Sequence, residues 1–274
     1  MQCQVRDIKI NYEEAGNGRP LLVLHGWPAD HHHVMSDMEP FFSQRNGWRR
    51  IYPDLPGFGL TRAPDWLNSQ DQLLDVMIEF MDALAPGERY AVTGTSYGGY
   101  LARGFIHQRG AQIDGIFLHA PAIEGDHTKR ELPPKQVLHT DPAFLAAIKE
   151  GEQGLLDIVV VQSLERLATF RRDFLPAFAL ADQAFLERLD QHYIYSFDVD
   201  TLPSPFMAPA LFLTGRQDNV CGYRDAYRLL ENYPHASFAV LDRAGHALAG
   251  EQPLLFRALV NEWLDRVEAY RPAA

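Results

Sequence analysis

The chain has 274 residues, 46% of them apolar, which suits one catalytic-size domain with one insertion and a core burying about three quarters of the extended-chain surface. Its 25 Lys and Arg against 36 Asp and Glu give a net charge of −11, so the surface repels phosphate backbones and anionic headgroups and argues against nucleic acid and membrane as partners. No apolar run follows Arg6, Asp7 and Lys9, no later stretch reaches the roughly 20 apolar residues of a bilayer span, and Cys3 and Cys221 have neither disulfide nor metal spacing; a cytoplasmic chain without metal is expected.

In chain order, Ile8, Ile10 and Tyr12 alternate with polar residues, as an antiparallel edge strand does. Continuous apolar runs from Leu21 to Leu24, Arg89 to Thr93, Gly115 to Leu118, Ala210 to Leu213 and Phe238 to Leu241 predict strands buried on both faces. Helical periodicity falls between them, from Leu73 to Leu84 behind Asn68-Ser69, from Tyr100 to Gln108 behind a glycine pair, and from Leu254 to Tyr270 behind Pro253. Strand alternating with helix implies a mostly parallel sheet with helices on both faces. From Glu124 to Pro205 that rhythm stops and the chain turns helical and proline-punctuated. The expected organisation is therefore a core of residues 1–123 and 206–274 with a helical cap, 124–205, inserted in it. A few of the cap's aromatic residues should line a pocket.

The sharpest chemical signal is Gly94-Thr95-Ser96-Tyr97-Gly98-Gly99, which follows a strand-like run and opens a helix-like one. A serine at such a turn is thrust out at the top of the sheet, and glycines two residues either side leave room for the strained backbone. A serine hydroxyl is a poor nucleophile at neutral pH and needs a base with a carboxylate to orient it. Asp218, just past the run ending at Leu213, and His246, in the Asp242-Arg243-Ala244-Gly245-His246 loop, follow the serine in the order acid then base. Glu124 is the rival acid, because it follows the strand ending near Leu118; Asp225 falls inside a helix. His25 and His119 should lie near the same edge but precede the acid. The adjacent His31, His32 and His33 should point in different directions and take solvated or packing roles. Developing negative charge on the substrate needs N–H donors, assigned to the backbone of Tyr97 and of Trp27 in His25-Gly26-Trp27-Pro28.

Taken together, His25 to Pro28, Asp54-Leu55-Pro56-Gly57-Phe58-Gly59, Gly94 to Gly99, Gly215 to Asp218 and Gly245-His246 resemble, in order and over essentially the whole chain, the α/β-hydrolase superfamily. That resemblance implies an α/β fold with an eight-stranded, mostly parallel sheet, a helical cap, and a Ser96-His246-Asp218 triad working without cofactor on a small-molecule substrate. Epoxide hydrolases and haloalkane dehalogenases carry aspartate where this chain has Ser96. Carbon–carbon hydrolases of the meta-cleavage type commonly have a small S-G-x-G loop and a tryptophan after the histidine; here those positions read His25 to Pro28 and Ala247. The His25 to Pro28 loop looks like that of bacterial arylesterases and cofactor-free perhydrolases. The resulting expectation is cleavage of a small to medium apolar carboxylic ester through an acyl-enzyme. Carbon–carbon hydrolysis, perhydrolysis aided by Pro28, and a non-catalytic receptor on the same scaffold are the alternatives.

Overall fold

The computed structural model describes residues 1–272. Among these residues eight strands make the central sheet: β1 (Gln2–Val5), β2 (Ile8–Ala15), β3 (Arg19–Leu24), β4 (Trp48–Pro53), β5 (Tyr90–Thr95) and β6 (Ile113–His119), then, after the short pair β7 (His139–Thr140) and β8 (Val161–Gln162), β9 (Ala210–Gly215) and β10 (Ala236–Leu241). The order is β1-β2-β4-β3-β5-β6-β9-β10; β2 is antiparallel to both neighbours and the rest run parallel.

Period-two geometry divides each apolar strand between two cores. Leu22, Leu24 and Phe212 face a cluster covered by α2 (Gln70–Leu84) and α3 (Tyr97–Arg109), with Leu73, Met77, Phe80 and Phe105. Their neighbours Leu21, Val23, Leu211 and Leu213 face α1 (His31–Phe42) and α11 (Pro253–Ala269), with Val34, Met38, Phe256 and Trp263. Each such fully buried side chain contributes about 1.5–3 kcal/mol over leaving it exposed. Between β6 and β9 lie α4 (Pro142–Ala147), α5 (Leu155–Ile158), α6 (Leu164–Thr169), a π-type turn (Phe170–Phe174), α7 (Leu175–Leu180) and α8 (Gln183–Asp190). This stretch has its own small cluster, Phe144, Leu155, Val159, Leu167 and Phe170. After β9 come α9 (Arg224–Tyr227) and α10 (Leu248–Glu251). Among the described residues no helix is long and apolar enough to cross a membrane.

Several elements differ from expectation, each for a physical reason. The edge is β1, so β2 is paired on both sides. β10 pairs only with β9 and is half-buried along most of its length, not buried on both faces. β4 has no readable apolar run because Arg49 and Arg50 sit in its middle; Glu14 takes Arg49 at 2.8 Å and Glu39 takes Arg50 at 2.7 Å. α1 has no clean apolar stripe and contains Pro40, yet Asp30 caps it by accepting from the His32 N–H.

Candidate active site

Ser96 stands alone between the end of β5 and the start of α3, at φ +52° and ψ −116°. A side chain in that region costs about 1–3 kcal/mol, so the surroundings must impose it. They do so through the backbone: the Ser96 carbonyl accepts from Gly99, Tyr100 and Ala122 at 3.0, 3.3 and 3.0 Å, and its N–H donates to His119 O at 3.2 Å. A Cβ on Gly94 would run into the Gly98 carbonyl, and one on Gly98 into the Leu24 carbonyl. Strand, turn and helix are thus in backbone contact, and only glycine fits both places.

Asp218 follows β9 and is wholly buried. One oxygen accepts the N–H groups of Val220 and Cys221 at 2.9 and 3.0 Å, and the other accepts from His246 Nδ1 at 3.0 Å. This leaves His246 Nε2 as the ring nitrogen available for proton transfer. The rival Glu124 accepts from the Asp126 N–H at 2.9 Å, within its own loop. Asp225 lies in α9 and accepts from the Glu131 N–H.

The loop after β3 is braced by His25, whose Nδ1–H donates to Gly26 O at 2.9 Å while Nε2 accepts from the Leu55 N–H at 3.0 Å. Burial pushes the His25 pKa down, which suits this neutral arrangement. The Trp27–Pro28 bond is cis. The Trp27 ring packs edge-on against Phe58 and Tyr97, both at 5.3 Å, and the Tyr97 hydroxyl donates to Gln70 at 2.7 Å. Among the described residues, neither the Trp27 nor the Tyr97 N–H has a protein acceptor.

Trp27, Ser96 and His246 line one cavity of about 460 Å³, walled across from the sheet edge by Leu155, Val159, Phe170, Phe174 and Phe178. Ser96 Oγ faces Cys221 Sγ at 3.9 Å and, among the described residues, makes no hydrogen bond to His246. A bond of this kind is often long or broken before substrate binds.

The sequence reading missed several neighbours of the site. Cys221, three residues after Asp218, sits against Ser96, and burial pushes its thiol up to about 12, so it is a neutral thiol. His119, expected near this edge, ends β6, lines the cavity and is driven by burial down to about 3, hence neutral. His33, Asp37 and Arg166 also reach the cavity. Contrary to expectation, His31 and His32 do converge. In the first turn of α1 their rings lie 4.0 Å apart, and with Asp30 they bring ligand atoms within 4.8 Å of one another, near enough to share a cation. The reason is that His31 is pulled inward by Asp54 at 2.6 Å while His32 leans back on the capping Asp30 at 3.2 Å.

The sequence pattern of the alpha/beta hydrolase family matches residues 21–259. The chain is 25% identical to a 2-hydroxy-6-oxononadienedioate/2-hydroxy-6-oxononatrienedioate hydrolase of Burkholderia vietnamiensis, over 95% of this chain and 92% of that one. It is 21% identical to a pimeloyl-[acyl-carrier protein] methyl ester esterase of Legionella pneumophila, over 94% of this chain and all of that one. The crystal structure of an alpha/beta superfamily hydrolase from Oenococcus oeni superposes with a TM-score of 0.88 at 25% identity, covering 98% and 99% of the two chains.

Proposed function

The chain belongs to the alpha/beta hydrolase family, and from that premise we propose that it is a serine hydrolase cleaving a small to medium apolar carboxylic ester. The observation that carries this reading is a strained Ser96 sharing one cavity with a His246 already bonded to buried Asp218. Ser96 Oγ attacks the ester carbonyl as His246 Nε2 takes its proton, and the oxygen that becomes negative accepts from the Trp27 and Tyr97 N–H groups. Collapse expels the alcohol, which receives that proton from His246. Water then attacks the acyl-enzyme by the same route, releasing the acid and restoring Ser96. Asp218 keeps Nδ1 protonated and stabilises the imidazolium. Residues 124–205 act as the cap that excludes water and shapes the substrate.

A second reading, carbon–carbon bond hydrolysis on the same residues, is favoured by the similarity to the Burkholderia enzyme. The test is turnover of p-nitrophenyl esters beside a fluorophosphonate label. Ser96→Ala is expected to abolish labelling and lower kcat on the order of a thousandfold or more with the fold intact. Near-normal turnover by a folded Ser96→Ala protein would overturn the assignment, and turnover of a vinylogous diketone without any ester turnover would favour the second reading.

A further inference from the structure

His33 and Asp37 from α1, and Arg166 and Thr169 from α6, interrupt the apolar wall of the cavity. His33 Nε2 and Asp37 Oδ2 are 3.7 Å apart on successive turns. α1 leaves the carboxyl end of β3 and runs back along the sheet, so Asp37 lies about 9 Å down the helix axis from its start at the catalytic edge. Arg166 closes the cavity opposite, next to Gly250, where a Cβ would run into its guanidinium.

The charges around this place are unequally satisfied. Asp173 is held by Arg172 at 2.6 Å, and Arg172 also reaches Ser36 at 2.8 Å. Glu251 accepts three backbone N–H groups, from Val160, Val161 and Gly245. Arg166, by contrast, donates through Nη2 only to Glu165 at 2.7 Å, and that carboxylate is 81% exposed. Its Nε and Nη1 have no protein acceptor among the described residues. An exposed pair of this sort holds a guanidinium weakly. The His33 Nδ1 is buried without a partner as well. Burial pushes Asp37 up to about 7 against the pull of the nearby Arg166 charge, so below that pH its carboxyl is mostly protonated and can donate a hydrogen bond.

We propose that Arg166, assisted by His33 and Asp37, anchors a carboxylate, so that the preferred substrates are hemiesters of medium-length aliphatic dicarboxylic acids. The ester lies at Ser96, the methylene chain along the phenylalanine wall, and the free carboxylate on Arg166; this placement rests on the ester-hydrolase reading above and narrows its apolar ester to one with an apolar chain that ends in a carboxylate. A carboxylate matches the planar fork of a guanidinium. An alkyl tail leaves those donors desolvated and unpaired, and a cationic tail is repelled.

The test compares monomethyl suberate, methyl nonanoate and methyl ω-hydroxyoctanoate as substrates, and separately measures suberate binding to the Ser96→Ala protein by calorimetry. The hemiester is expected to exceed methyl nonanoate in kcat/KM by at least about tenfold, the step that one hydrogen bond to an ion supplies. Arg166→Met should collapse that ratio, Arg166→Lys should retain part of it, and Arg166→Met in the Ser96→Ala background should abolish suberate binding. Equal turnover of hemiester and alkyl ester with no effect of Arg166→Met on the ratio overturns the anchor and leaves the esterase. Preference for the hydroxy ester overturns the carboxylate assignment. Arg166-dependent suberate binding without Ser96-dependent turnover of any ester keeps the anchor and overturns the ester reading.

Discussion

The carboxyl edge of the sheet and the helical stretch between β6 and β9 face each other across one cavity, yet they are held by different means. At the sheet edge the backbone does the holding: three N–H groups fasten the Ser96 carbonyl, two fasten Asp218, and the Leu55 N–H fastens His25. Across the cavity the helices are four to eight residues long, and their ladder is two residues on two. Their cluster of five buried apolar residues is supplemented by side-chain ties such as Arg171 to Glu152 at 2.7 Å and Glu251 to the Val160 N–H at 2.6 Å. Helices this short are not stable alone and depend on packing. The contrast teaches a division of labour: the groups proposed to react have the precision of a braced backbone, whereas the wall opposite can change its side chains without disturbing them.

The largest expected effect lies at the braced edge. Asp218→Asn should lower kcat by about a thousandfold or more, because the amide cannot stabilise the imidazolium, while Glu124→Gln should stay within about twofold. Steady-state kinetics on one p-nitrophenyl ester decides it, and the reverse ranking moves the acid to the loop after β6.

An intermediate effect should appear on the opposite wall. Phe144 is fully buried in the small cluster, so Phe144→Ala costs about 3–5 kcal/mol locally. Hydrogen exchange should show lost protection in α4 to α8 with β3, β5 and β6 unchanged. Uniform loss across the sheet would show that the two regions open as one unit.

The smallest effect concerns the support beneath the edge. Burial pushes the Asp54 carboxyl up, but bonds from His31 and Leu60 overcome it and hold it at about 2. A folded value below the ordinary 3.8 means the stabilisation is present above about pH 4 and is lost as pH falls through 2. Its size is about 2 kcal/mol. Urea midpoints for wild type and Asp54→Asn should therefore differ at pH 6 and approach each other near pH 3. A gap that widens on acidification would contradict this sign.

Most of the sheet was legible in the chain because strands buried on both faces need unbroken apolar runs, and β3, β5, β6 and β9 have them. The strand with two internal arginines, β4, was not, because its apolar character depends on Glu14 and Glu39 neutralising charges that a run of letters counts against it. Within the candidate site, Ser96, Asp218, His246 and Trp27 were legible because each occupies a short loop directly after a strand, where local spacing carries the signal. His33 and Asp37 share a face of α1, but nothing in their i,i+4 spacing ties them to Arg166 or Cys221, which come from separate stretches remote in the chain.

By itself, then, the sequence determined what short-range sterics and burial periodicity dictate: a sheet flanked by helices, a glycine-framed serine turn, and an aspartate and a histidine in strand-end loops behind it. Tertiary structure alone decided the neighbours across the cavity. Which thiol lies against Ser96, which carboxyl is driven up by burial, and which guanidinium is left without a buried partner all depend on desolvation and on distances between elements remote in the chain. Those quantities exist only once the helices have packed against the sheet edge.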